Sequence, residues 1–482
     1  MAAAVEAPAM TIAAAGMAET VRTTVPAEER TVVLRDVREC LRGMNVTADR
    51  VVPLHGTREE REDTTIIPAF PVMSPAAAIQ NRGNRNKMRR PADIPAGLCR
   101  IYFLKKVFNK RRFCAIISMQ SCIEMSWRRY MAMAKDKYVA YVSTYTMGDS
   151  HGIRVYDVDM EKGCFTEKDK VKITNSSYVT ISHNRKYLYS ITDFGVESYN
   201  IQKDGSLKML NAASINGMRG CYLATDYTDR YLFVAGYHDG KLTVLRLEEN
   251  GSVGAITEEI FHKGMSSQSG RNSRPHVTCA RMTHDNKFLL VADQGMDHVN
   301  VYSLNPESGK LRVADVIRGD MESGPRHVKM SQDGRFVYIV NEWKCNIDVY
   351  SYEVRENIPY FDRIQSISTL NDYAPQGSAA SALSFSADYD YLLSSNVGDN
   401  SVILYNVNKE DGTLTKNFCL PISGDYPKDA EIFPNNKFVV SLNHESDTLT
   451  FFRIDVHNGN MTMNGAPLKL AAPNSIIFHK IV

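Results

Sequence analysis

Basic side chains recur at one kind of place in the second half of this sequence. Arg219 stands in GMRGCYLA, Arg274 and His276 in SRPHVTCA, Arg326 and His327 in GPRHVKMS, and Lys428 in YPKDAEIF. Each segment opens a short apolar strand. A second set closes the strand that follows: Asp193, Tyr237, Asp293, Asn341 with Glu342, Asn396, and Asn443 with His444. Converging Arg and Lys suit an anionic ligand, because the guanidinium offers a planar fork to carboxylate or phosphate. Interleaved His and Glu suit proton transfer near neutral pH. The same residues have plainer uses. Polar residues at repeat ends satisfy turn backbone or pair with each other. Arg326 and Glu342, on adjoining strands, are also placed for a structural ion pair. His151, His183, His262 and His298 read as ordinary loop residues. No Asp/Glu/His set has metal-ligand spacing, and neither a metal nor another cofactor is expected.

For these side chains to act together, positions from Arg219 to His444 must reach one opening. A repeat supplies the means. HDNKFLLVADQGMDHVNVYSL from His284, QDGRFVYIVNEWKCNIDVYSY from Gln332, ADYDYLLSSNVGDNSVILYNV from Ala387 and PNNKFVVSLNHESDTLTFFRI from Pro434 share a pattern. A polar turn leads to an aromatic and an alternating apolar strand, then to a second turn and a strand ending in an aromatic. The anchor aromatics are Tyr138, Tyr187, Tyr231, Phe288, Phe336, Tyr391 and Phe438, spaced by 44–57 residues. That is the length of one four-stranded blade. A lone blade has two apolar faces and needs a neighbour on each side. The expected fold is therefore all-β, a seven-bladed β-propeller over residues 134–482. Its ring closes where KYVAYVSTYT from Lys137 pairs with NSIIFHKIV at the other end. A β-helix or solenoid is the rival, but its repeats are usually shorter and its ends need caps. Within a blade the strands run outward from the axis and alternate in direction. The start of the innermost strand and the end of the next one then lie at the same face.

Residues 1–133 have a different texture. An Ala-rich run gives way to mixed charge and then to NRGNRNKMRRP, with no sustained period of 2 or 3.6. A poorly structured extension, disordered or loosely helical, is expected. RIYFLKKVFNKRRFCAIISM from Arg100 is apolar and basic together, which suits a helix on a membrane surface or an anionic partner. The alternative is that this extension is not natively translated, since a start at Met131 or Met133 leaves the propeller complete. From Arg82 to Arg129 thirteen Lys/Arg face only Asp93 and Glu124, so the formal net charge of +2 hides a mildly acidic body. Such a body gives no support for nucleic acid as a partner. The apolar stretch Phe113 to Met119 is too short to span a bilayer. With no secretory leader and no membrane span, a cytoplasmic location is expected. Nine cysteines, an odd number without C-x-x-C, suit free thiols rather than a disulfide framework. A closed ring leaves few sheet edges from which to read an oligomeric state.

STYTMGDSHGI from Ser143 resembles the opening strand of the seven-bladed lactonase family, usually G-T-Y-T…S-x-G-I, with Ser143 in place of the first glycine. RPHVTCARMTHDNKFLLVADQGMDHVNVY, GPRHVKMSQDGRFVYIVNE and YPKDAEIFPNNKFVVSLNHESDTLTFF are similar to later stretches of the family, in the same order. The resemblance covers nearly all of residues 137–482. The family contains bacterial-type 6-phosphogluconolactonases and fungal carboxymuconate cyclases. It implies His276, Arg326 and Glu342 as catalytic residues. Arg326 would hold an anionic group or polarise a lactone carbonyl, and His276 or Glu342 would activate water while the other acts as acid or orienter. Arg219, Arg274, Asp293, His327, Asn396 and Lys428 are then expected to bind a small anionic lactone. The sequence departs from the family at Val397, where an arginine is usual, and at Lys428, which keeps charge but loses the fork. Asp193 stands where Glu is common, and Gly236-Tyr237 where N-Y is usual. The implied activity is hydrolysis of a sugar lactone, 6-phosphogluconolactone first. A non-catalytic propeller binding an anionic metabolite or a protein, and a muconate-type cyclase, are the alternatives.

Overall fold

The computed structural model describes residues 136–147, 151–264, 274–371 and 377–481. The expectations for residues 1–133 fall outside these. Each repeat becomes a sheet whose core is four antiparallel strands. Blade two holds β4 (Val179–Ile181), β5 (Tyr187–Thr192), β6 (Gly195–Ile201) and β7 (Leu207–Ser214). Blade three holds β8 (Tyr222–Thr225), β9 (Tyr231–Gly236), β10 (Lys241–Leu247) and β11 (Val253–Phe261). Blade four holds β12 (Val277–Met282), β13 (Phe288–Asp293), β14 (His298–Leu304) and β15 (Leu311–Arg318). Blade five holds β16 (Pro325–Met330), β17 (Phe336–Asn341), β18 (Asn346–Arg355) and β19 (Ile358–Ser368). Blade six holds β20 (Ala379–Phe385), β21 (Tyr391–Val397), β22 (Ser401–Val407) and β23 (Leu414–Pro421). Blade seven holds β24 (Pro427–Ile432), β25 (Phe438–Asn443), β26 (Thr448–Asp455) and β27 (Asn460–Met463), with the short β28 (Leu468–Lys469) also on β26.

Blade one is assembled from both ends of the described chain. β1 (Lys137–Thr144), β2 (Gly152–Asp159) and β3 (Cys164–Lys172) take β29 (Pro473–Ile481) as their innermost strand. The register runs from Lys137 opposite Ile481 to Thr144 opposite Pro473. The Ser143 and Ser475 hydroxyls meet at 2.9 Å across this seam. The innermost strands touch one another in succession, β29 to β4, β8, β12, β16, β20, β24 and back to β29. That circuit is a closed ring of seven, and it excludes the solenoid.

The anchors earn their spacing. Six of the seven open the second strand of their blade, and Tyr138 is second in β1. Two residues before each of those six the backbone turns left-handed, at Arg185, Asp229, Asn286, Gly334, Tyr389 and Asn436. Side chains of these second strands alternate between the two faces of the blade and fill the gaps to both neighbours. Phe336, Tyr338 and Val340 of blade five, for example, pack in one cluster with Ala380, Leu383 and Leu392 of blade six. Burying each such side chain contributes about 1.5–3 kcal/mol. Outer strands such as β19 are largely exposed. Among the described residues, Cys164, Cys221, Cys279, Cys345 and Cys419 are free thiols, and no helix is long and apolar enough to cross a membrane.

Candidate functional site

Tyr145, one residue past the end of β1, is the centre of the mouth. Arg219, on the entry to blade three, lies over its ring with Cζ 4.8 Å from the centroid. Lys428 of β24 approaches the same ring with Nζ at 4.6 Å, and His444 meets its edge at 5.5 Å. Each cation is attracted by the quadrupole of the phenol ring. Burial raises the pKa of the Tyr145 hydroxyl while Arg219 and Arg326 pull against it. The phenol stays protonated at neutral pH and can donate a hydrogen bond.

The three cations differ in their partners. Arg219 Nη1 donates to Asp193 Oδ1 at 3.0 Å, and Arg326 Nη1 to Glu342 Oε2 at 2.5 Å. Lys428 forms no contact ion pair among the described residues. Its Nζ donates to Asn474 Oδ1 at 2.7 Å. Burial, and then the charges of Arg326 and Arg219, push its pKa down to about 7. Lys428 therefore gains or loses its charge near neutrality, and an incoming anion favours the charged form.

His276 is held from two sides. Its backbone N–H donates to Asp293 Oδ1 at 2.9 Å, and its Nδ1 lies 2.8 Å from the Tyr237 carbonyl oxygen. A carbonyl only accepts, so Nδ1 carries the hydrogen and Nε2 is the basic nitrogen. The imidazole stacks on the Tyr237 ring, with centroids 4.3 Å apart and planes at 17°. Burial raises the Tyr237 hydroxyl, and Glu342, Arg326 and Arg274 all stand near enough to act on it. The histidine, the Arg326–Glu342 pair and the three cations thus share one opening. Gly295 permits the close fit behind the histidine. A Cβ there would lie 2.0 Å from the Arg274 carbonyl oxygen and 3.1 Å from His276 Cδ2.

Not every expected residue joins this group. Asp293 is fully buried and spends Oδ1 on the His276 N–H and Oδ2 on His262 Nδ1 at 2.7 Å. It supports the site from behind and is not open to a ligand. His262, taken from sequence as a loop residue, is the buried partner of Asp293, with Tyr302 Oη 3.1 Å from its Nε2. Asn396 is also fully buried, donating from Nδ2 to the Thr369 carbonyl and the Ser401 hydroxyl. His327 turns down the channel towards Tyr222, with ring centroids 5.5 Å apart. Burial, then Arg326 and Lys329, hold its pKa well below the usual histidine range, so it adds no charge. Arg274 is exposed at the rim. Val397 is buried where an arginine would have faced the mouth.

Tyr145 and Tyr426, whose ring centroid lies 6.0 Å from that of His444, were not among the expected site residues. The signal for Tyr426 is positional. Counting from each anchor, the mouth receives the residue twelve before it (Arg219, His276, Tyr426), ten before it (Arg326, Lys428) and six after it (Asp193, Tyr237, Glu342, His444). Five after the anchor stand Asp293 and Asn396, whose side chains point to the opposite face of the strand.

The ring is a seven-bladed propeller with Arg219, Arg326 and Lys428 gathered around Tyr145 at one mouth. The family described as Lactonase, 7-bladed beta-propeller matches residues 139–478, and the chain belongs to that family. It is 29% identical over 352 residues to the 6-phosphogluconolactonase of Bacillus subtilis, covering 71% of this chain and 98% of the relative. A 6-phosphogluconolactonase of Formosa agariphila is 28% identical, covering 64% and 90%. The structure of a periplasmic gluconolactonase from Pseudomonas aeruginosa superposes with a TM-score of 0.67 at 26% identity, covering 71% of this chain and 99% of that one.

Proposed function

We propose that the protein hydrolyses a sugar lactone in its axial pocket, with 6-phosphogluconolactone opened to 6-phosphogluconate as the substrate. The observation that carries this is the convergence of Arg219, Arg326 and Lys428 on Tyr145, beside a histidine whose Nε2 is the free basic nitrogen. The names of the bacterial relatives support the same substrate. The cations hold the anionic group and polarise the lactone carbonyl. His276 Nε2 takes a proton from water as the water oxygen bonds to the carbonyl carbon. The oxyanion forms against Arg326 and the Tyr145 hydroxyl. When the ring C–O bond breaks, the leaving oxygen takes the proton from His276. Glu342 positions Arg326 rather than acting as the base, because its Oε2 is engaged by the guanidinium.

The test is turnover of 6-phosphogluconolactone at mildly acidic pH, where its uncatalysed opening is slow. His276→Ala is expected to lower kcat by about 10²–10⁴-fold, and Glu342→Gln to lower it less. Rates equal to background in wild type and both variants would end the proposal. Binding of the sugar phosphate without turnover would assign the pocket to a non-catalytic anion binder.

A further inference from the structure

Three of the large apolar side chains exposed on the mouth face each stand beside a residue of the pocket in the chain. Met147 is 62% exposed and follows Tyr145 by two positions. Phe194 is 82% exposed and follows Asp193. Met218 is 54% exposed and precedes Arg219. One chain of contacts ties their backbones together. Thr146 N donates to Asn175 Oδ1 at 2.9 Å, and Asn175 Nδ2 donates to Asp193 Oδ2 at 2.8 Å. Asp193 Oδ1 accepts from Arg219, which lies over Tyr145. The three apolar residues therefore border the Arg219 side of the pocket, on blades one to three.

The local backbone does not call for them. In blade two, Asp193 and Phe194 alone join β5 to β6, since Thr192 pairs with Gly195. At the tip of a two-residue turn a phenyl ring packs on nothing. The corresponding connections of blades three, six and seven carry His238 and Asp239, Asp399 and Asn400, and Glu445 and Ser446, and those of blades four and five carry Met296 and Trp343, both half-buried. Single exposed apolar residues are ordinary on protein surfaces. Three of them are anchored to one cation cluster, with Met321 a further exposed one between β15 and β16, while the side formed by blades six and seven carries Asn400, Asp425 and Glu445.

We propose that the pocket also takes an anion bearing an apolar substituent, an aryl or acyl group. Its charged end meets Arg219 and Lys428, and its apolar part lies on Phe194, Met218 and Met147. This rests on the anion pocket described above but not on its hydrolytic chemistry. The test compares binding of inorganic phosphate and phenyl phosphate to the full chain by calorimetry at pH 6.5, where Lys428 is largely charged. Phenyl phosphate is expected to bind about tenfold more tightly, about 1.4 kcal/mol. Phe194→Ser and Met218→Ser should each cut that ratio by about threefold and leave phosphate binding unchanged. Exposed positions of this kind tolerate substitution without unfolding. Phosphate binding with a ratio near one in wild type overturns this inference alone, as does an unchanged ratio in both variants. A change of oligomeric state in Phe194→Ser, by sedimentation, would assign the patch to self-association instead. Failure of both ligands to bind wild type overturns the pocket itself.

Discussion

The mouth of the funnel and the tier beneath it draw on the same innermost strands, yet they handle charge in opposite ways. At the mouth each guanidinium has a carboxylate in contact, Asp193 for Arg219 and Glu342 for Arg326, and all four groups are partly open to water. Below them, seven residues before their anchors, Arg281, Lys329 and Glu431 converge with Asp429. Among the described residues none of these four forms a contact ion pair. Arg281 donates to the Tyr222 and Tyr227 hydroxyl oxygens. Asp429 accepts from the N–H groups of Ala430 and Ile476 at 3.0 Å each, and Glu431 lies beside the Ser384 hydroxyl, which donates to the Ala430 carbonyl at 3.2 Å. Burial leads every one of their titrations. It raises Asp429 to about 6, raises Glu431 and lowers Lys329. Pairing near water keeps charge available to a ligand. Deep in the channel burial shifts Asp429, Glu431 and Lys329 towards neutrality, while the tyrosines and Cys279 around Arg281 keep it charged. On the proposed function the mouth carries the chemistry, and the tier is expected to govern how stability responds to pH.

The sharpest test of this division is a matched pair of substitutions. Arg326→Ala removes the fork and leaves the Glu342 carboxylate uncompensated beside Tyr237. Lactonase kcat/KM is expected to fall by about 10²–10³-fold. Arg281→Met removes an equally long cation from the tier, and kcat/KM should stay within about tenfold of wild type while Tm falls. Equal losses of activity would merge the two regions into one site.

Lys428 sharpens the comparison at intermediate size. It belongs to the mouth but, having no carboxylate, titrates like the tier. Its pKa near 7 means that it is charged below neutrality and neutral above. Anion binding needs the charged form, so KM for an anionic lactone should rise about tenfold from pH 6 to pH 8. Lys428→Arg should flatten that rise. A KM that is flat over the same range in wild type would remove Lys428 from the binding set.

Much of this was legible in the sequence because a propeller repeats. The seven anchors marked the blades, and Lys137 to Thr144 was paired correctly with the chain's other end. The antiparallel order of strands was enough to bring Arg219, His276, Arg326, Glu342 and Lys428 to one face. What failed was the frame within a strand. Asp293 and Asn396 sit one position before the residues that face the mouth, and period-2 alternation turns them into the blade. Asn341 beside Glu342, and Asn443 beside His444, offered both frames at once. The buried His262–Asp293 contact joins blades three and four, and no local pattern announces a pairing of that range. Tyr145 was hidden for a different reason: it lies between β1 and β2, in the one blade whose innermost strand comes from the far end of the chain.

The smallest predicted effect separates the tier's two readings. Glu431 stands near Lys329, and an ion pair is the ordinary expectation for such neighbours. Burial argues otherwise, holding the carboxyl protonated above the normal glutamate range. Where the native protein keeps a proton that the unfolded chain has released, the unfolded state binds fewer protons, and stability falls as pH rises. The contribution is complete below about pH 4.3 and is lost as pH climbs through the native pKa. Glu431→Gln replaces the neutral acid with a neutral amide and deletes this slope. Asp429 acts in the same direction at lower pH. His327, with its depressed pKa, acts oppositely below about pH 6.5. Both are common to the two proteins and cancel in the difference. The Tm of Glu431→Gln relative to wild type should therefore increase by about 1–3 °C between pH 5 and pH 8. If Glu431 instead serves Lys329 as a carboxylate, the variant will be the less stable protein and the deficit will widen over that interval. The channel would then be paired like the mouth.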